Sequence, residues 1–190
     1  MTGQDRVTAP AGDFLRSAQA AAKSGRRGPP PVHLWNPPFC GDIDIVIRRD
    51  GTWIHEGTPI GRPGLVRLFA SILKREGDEH FLVTPVEKVG LQVEDAPFVA
   101  VDFSAEAGAL TFETNVGDTV TAGPEHPLRV ELAADGEPSP YVEVRHGLEA
   151  LIDRKSFYRL VDLGEERDGR FGVASGGAFF PIIDAGALPD

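Results

Sequence analysis

"DGTWIHEGTPIGRPGLVRLF", residues 50–69, changes pattern twice in one short stretch. Asp50-Gly51 is a hairpin turn signal, from which "TWIHEG" returns as a strand. After "TPIGRPG", Pro63 suits a first helical turn. Leu65, Leu68, Phe69, Ile72 and Leu73 then recur at i, i+3, i+4, i+7 and i+8, the apolar stripe of an amphipathic helix, with Gly77 as its stop signal. The stretch predicts a β-sheet carrying one helix.

The flanks agree. "DIDIVI", residues 42–47, alternates Asp42 and Asp44 with Ile43, Ile45 and Ile47, a half-buried strand whose acids form its solvated face. Downstream, "HFLVT", "VGLQVE" and "FVAVDF" read as three strands. Between the first two lies Thr84-Pro85-Val86-Glu87-Lys88, more polar and longer than the Asn-Gly or Asp-Gly of a plain hairpin. Asp95 before "APF" is a turn residue, because Asp bonds nearby backbone N–H groups.

The second half starts over with "ALTFET", a Gly117-Asp118 turn, "TVTA", "HPLRVELA" and an Asp135-Gly136 turn. "RHGLEALI", residues 145–152, follows that turn much as "RPGLVRLF" follows Asp50-Gly51. Apolar strands are expected after both, "FLV" at 81–83 and "YRLV" at 158–161. The shared pattern predicts a duplication. In "DGRFGVASGGAFFPI", two short strands flank Ser175-Gly176-Gly177, where a bulge or a close backbone approach is expected. The expected class is α+β: two small β-rich domains of similar plan, each an antiparallel sheet plus one helix. Residues 32–106 form the first and 107–190 the second. Residues 1–31 precede them as a flexible tail, a short helix capped by Asp13 and a linker, "GRRGPPP".

Composition narrows the function. The chain has 190 residues, 41% hydrophobic and 25% charged, with a formal charge of -10, which suits a globular protein and argues against binding duplex nucleic acid or an anionic membrane surface. No stretch approaches the ~20 apolar residues of a membrane span, and the N-terminus lacks the pattern of a secretory signal. Cys40 is the only cysteine, so no internal disulfide forms and a cytoplasmic location is expected.

Motifs of chemistry are sparse. There is no GxGxxG, P-loop, HExxH or GxSxG, so no catalytic residue, cofactor or metal site is expected. His33, His55, His80, His126 and His146 have no metal-ligand spacing. Trp35, Trp53, Phe98, Tyr141 and Tyr158 read as packing residues. The pointed feature is an arginine, Arg62 or Arg145, before each expected helix, where a cation opposes the helix dipole by about 0.3–1 kcal/mol. Either the guanidinium and the free N–H groups share an anion, or each arginine is paired with an internal acid such as Glu87, Asp95 or Glu143.

Taken together, "LWNPPFCGDIDIVIRRDGTWIHEGTPIGRPGLVRLFASIL", "LVTPVEKVGLQVEDAPFVA", "PYVEVRHGLEALIDRKSFYRLV" and "VASGGAFFPI" resemble the uncharacterised bacterial domain-of-unknown-function family 1285, over roughly residues 32–182. The resemblance implies a duplicated core with a pleckstrin-homology-like C-terminal part, a site at the domain interface suited to a nucleotide-like ligand, and a role in signal transduction. The expected function is therefore non-enzymatic binding of a nucleotide-like or other anionic small molecule. Arg62, Thr84, Glu87 and Lys88 would come from the first domain, and Asn115, Tyr141, Arg145 and Arg154 from the second. A protein-interaction module with an exposed strand edge at "FYRLV", and a metal-assisted hydrolase, are the alternatives.

Overall fold

The computed structural model describes residues 11–24 and 28–187; the expected tail over residues 1–10 and the start of the linker, residues 25–27, lie outside the described residues. The chain divides into two units, Met1–Asp95 and Ala96–Asp190.

The first unit opens with α1 (Ala11–Ser24). Then follow β1 (Phe39–Ile47), β2 (Trp53–His55), β3 (Thr58–Pro59), α2 (Pro63–Ser71), β4 (Leu73–Glu76), β5 (Glu79–Val83) and β6 (Lys88–Val93). The sheet order is β3-β2-β1-β6-β5-β4, antiparallel throughout except for the central β1–β6 pair, which is parallel. Ile43, Ile45 and Ile47 of β1 are buried on one face. On that side Phe69 of α2 packs on Phe14 of α1 and stacks on Trp53 of β2, with ring centroids 6.5 and 6.3 Å apart. The apolar stripe of residues 65–73 runs beyond the helix. Ile72 caps α2, Leu73 begins β4, and the expected stop residue, Gly77, instead turns the β4–β5 hairpin at φ 62°.

The second unit contains β7 (Phe98–Glu106), β8 (Ala109–Thr114), β9 (Thr119–Thr121), β10 (Leu128–Leu132), β11 (Pro138–Arg145) and β12 (Leu148–Ile152). They are followed by α3 (Arg154–Val161), β13 (Glu165–Arg167), β14 (Arg170–Ser175) and β15 (Ala178–Asp184). Its main sheet runs β10-β11-β12-β7-β8-β9, and β13–β15 form a second, three-stranded sheet. The sequence placed the boundary after residue 106. It falls before β7, because that strand pairs with β8 and, in parallel, with β12.

Renumbered within its own unit, each six-stranded sheet follows one path, 3-2-1-6-5-4, with a parallel seam between its first and last strands. The duplication lies in the strands. It does not lie in the motif that suggested it, for "RHGLEALI" is no helix. His146 and Gly147 both have positive φ, 45° and 79°, and form the two-residue turn of the β11–β12 hairpin, a conformation that Pro63 cannot adopt in the other copy. "YRLV" in turn is helical, within α3, whose N-terminus is capped by Asp153 accepting from the Ser156 N–H at 2.8 Å. No strand edge exists at "FYRLV".

The glycine pair reads as expected: Gly176 and Gly177, φ 57° and 79°, turn the β14–β15 hairpin. Ser175 locks this hairpin to the main sheet. Its buried Oγ accepts from the Leu110 N–H at 2.8 Å and donates to the Ala122 carbonyl at 2.7 Å. Ser175→Ala leaves both backbone groups buried without that partner and is expected to cost about 1–3 kcal/mol, read as a lower urea midpoint.

Candidate functional site

The alternation of β1 gives its sheet two different faces. Ile43 and Ile45 point to the helix side, where they line a pocket of about 330 Å³; Asp42 and Val46 point the other way and line a groove of about 690 Å³. Both volumes fall in the range of small-molecule sites.

The helix-side pocket is apolar at its base, formed by Phe14 and Leu15 of α1, Ile43 and Ile45 of β1, and Leu65 and Phe69 of α2. His55, Thr58 and Arg62 supply its polar groups, and no Asp or Glu lines it. Arg62 is the N-cap of α2 and makes no side-chain capping bond. An arginine has no acceptor to offer the helix donors. Pro63 removes one of those donors, and the Gly64 N–H has no partner among the described residues. In a chain with 29 acids and 19 basic residues, no carboxylate among the described residues pairs with Arg62. Arg145 differs. It is a strand residue whose guanidinium is bound to Asp118 and lies 5.0 Å from the Phe98 ring centroid. Of the two sequence readings, internal pairing therefore holds for Arg145, with Asp118 as its acid.

The remaining expected residues have local roles. Thr84 is fully buried and closes the β5–β6 turn: its Oγ1 accepts from the N–H groups of Val86 and Glu87 at 3.3 and 3.1 Å, and its own N–H donates to the Glu87 carbonyl at 2.9 Å. The polar turn is thus a side-chain-stapled hairpin. Glu87 Oε1 is buried with no hydrogen-bond partner among the described residues, and its carboxylate does not hold Arg62. Asn115 joins the β8–β9 turn to β7, its Oδ1 accepting from the Val99 N–H at 3.0 Å. Tyr141 is buried, with the Arg129 guanidinium 4.2 Å from its ring centroid. Arg154 is exposed and donates to Tyr158 Oη at 3.0 Å.

Lys88 belongs to the opposite groove. Its Nζ donates to Glu76 at 2.8 Å and lies 4.6 Å from the Phe81 ring centroid, and Lys74 binds the same carboxylate at 3.1 Å. The hydrogen bond from Lys88, then that from Lys74, holds the Glu76 carboxyl below its ordinary range. Sequence reading missed Phe39, Asp42 and Gly90 here. Gly90 lies in mid-strand, and a Cβ built on it would collide with Asp42 Oδ1, so the glycine in "KVGLQV" was the available signal.

Two family models match consecutive stretches of the chain. They are Domain of unknown function (DUF1285), N-terminal domain, over residues 30–96, and Protein of unknown function (DUF1285), C-terminal domain, over residues 97–182. The chain belongs to the DUF1285 family. The two matches meet at the boundary between the units. A crystal structure of a DUF1285 family protein from Silicibacter pomeroyi DSS-3 is similar at 61% identity, covering 91% of this chain and 96% of that one, with a TM-score of 0.84. Another, from Shewanella baltica OS155, is similar at 35% identity over 63% of this chain and 91% of that one, with a TM-score of 0.52. No match to a curated protein is found. Among the described residues no helix is long and apolar enough to cross a membrane.

His80 of β5 lines the end of the groove, opposite Arg75 and Leu91 in register. Burial, and to a lesser degree the charge of Arg75, pushes its pKa down from 6.5 to about 4. Between those two values the unfolded chain binds a proton that the folded chain does not. Its contribution to stability is thus complete above about 6.5 and is lost as pH falls to about 4. Urea unfolding across that window is expected to show a shallower pH dependence in His80→Gln than in the parent chain.

Proposed function

We propose that this DUF1285 chain is a non-enzymatic binding protein of the cytoplasm whose first unit takes up a small carboxylate with an apolar body. The observation that carries the reading is Arg62: a helix N-cap guanidinium, without a carboxylate partner among the described residues, at the rim of an acid-free apolar pocket. A carboxylate there would meet the guanidinium and the Gly64 N–H, an anion-binding arrangement at a helix start. It would also relieve the opposition between the Arg62 charge and the helix dipole. The apolar base would take the rest of the ligand, and its aliphatic and aromatic lining suits an aryl or short alkyl chain.

Binding, with regulation as its consequence, fits this lining better than catalysis. The pocket supplies a cation, an imidazole and a hydroxyl, but no carboxylate, cysteine or lysine.

Calorimetric titration with benzoate and with octanoate tests the reading. Arg62→Ala is expected to weaken binding about tenfold or more, the effect of losing a hydrogen bond to a charged group. Arg67→Ala, an exposed cation on the same helix, should leave the affinity unchanged. Equal losses in both variants would refute a specific site.

A further inference from the structure

The open face of the same sheet carries a second arrangement, of opposite charge. We propose that the groove beside Phe39 and Asp42 binds an organic ammonium ion carrying an aromatic or other flat apolar group.

The groove already contains one ammonium site, occupied by the chain's own Lys88. That cation is held by the Glu76 carboxylate at 2.8 Å and by the face of Phe81 at 4.6 Å. Carboxylate plus aromatic face is the usual recognition pair for an ammonium. Asp42 and Phe39 repeat the pair one step along the groove. The Phe39 ring meets Phe81 edge-to-face, with centroids 6.1 Å apart and an interplanar angle of 83°. Yet Phe39 remains 56% exposed, an unusual state for a large aromatic residue at the start of a central strand. Asp42 lies down over Gly90, where Phe39 Cε2 comes within 3.6 Å of a Cβ built on that glycine. The missing side chain at residue 90 is what lets the carboxylate and the ring come together on the sheet floor. No Lys or Arg among the described residues pairs with Asp42.

The field of the groove favours the same ligand. Asp42, Glu76, Asp78, Glu79 and Glu94 line it; Lys88 and Lys74 share Glu76 and Arg75 pairs with Asp78 at 3.6 Å, which leaves Asp42, Glu79 and Glu94 without an ion-pair partner among the described residues. A metal ion is the poorer match, because among the described residues no three Asp, Glu, His or Cys side chains converge to hold one. Dispersed carboxylates around an aromatic surface suit a bulky cation that keeps part of its hydration. A groove of about 690 Å³ has ample room for an aryl-alkyl ammonium.

The probe is benzyltrimethylammonium, titrated calorimetrically into the full chain. Asp42→Asn, nearly the same shape, is expected to weaken binding about tenfold, the loss of one charged contact. Phe39→Leu, at an exposed position, should weaken the benzyltrimethylammonium ion more than ammonium itself. Benzyl alcohol, the neutral counterpart, should bind far more weakly than the cation. Glu113→Gln, which removes an exposed acid on β8 of the other unit, should leave binding unchanged. Unaltered affinity in both Asp42→Asn and Phe39→Leu, or a loss in Glu113→Gln equal to that in Asp42→Asn, would overturn the proposal. Arg62→Ala should not affect this titration, which separates it from the carboxylate site.

Discussion

The period-two alternation of β1 is the constraint on which the first unit depends. Ile43, Ile45 and Ile47 face the helices, and each buried isoleucine contributes about 1.5–3 kcal/mol. A slip of one residue would drive Asp42 and Asp44 into that core, where unpaired carboxylates are far more costly than the isoleucines are favourable. Register is therefore strongly specified. The same alternation that buries the isoleucines delivers Asp42 to the opposite surface, so the two concavities of this sheet are chemically different because the strand between them is amphipathic.

Both units solve the same topological problem. A parallel pair cannot be closed by a tight turn, and here the intervening four strands and their connections bring the last strand back beside the first. The units differ in where the helix enters. The first places α2 between its third and fourth strands, whereas the second has only a short loop there, with a Gly123–His126 bridge, and places α3 after its sixth strand. An arginine at a helix start beside an apolar pocket is thus a property of the first unit's insertion. The matching sequence around Arg145 is a hairpin corner, and Asp118 neutralises it.

Much of this fold was legible in the sequence, because the strong signals are local. Asp50-Gly51, the alternation of residues 42–47, Pro63 with its apolar stripe and the Gly176-Gly177 turn each name their own structure. What escaped depended on partners far along the chain. The parallel seams pair residues such as Phe98 and Ala150, and nothing local announces them. "RHGLEALI" has helical spacing at Leu148, Leu151 and Ile152, but Leu148, Ala150 and Ile152 also alternate and are buried on one side; the second pattern prevails because β11 pairs with it. Of the expected site residues, Arg62 was legible as a misplaced cation. Asp42 was read as ordinary solvated surface, because only the tertiary neighbour Gly90 gives it a different setting.

The claim that one sheet presents two faces of opposite ligand preference is most directly tested by NMR shift mapping on the full chain with two probes, benzoate and benzyltrimethylammonium. Benzoate is expected to move the resonances of Leu15, Ile43, Ile45 and Leu65, and the cation those of Phe39, Asp42, Gly90 and Gln92, each leaving the other set in place. A single set of residues responding to both probes, or a benzoate response remote from Arg62, would contradict it.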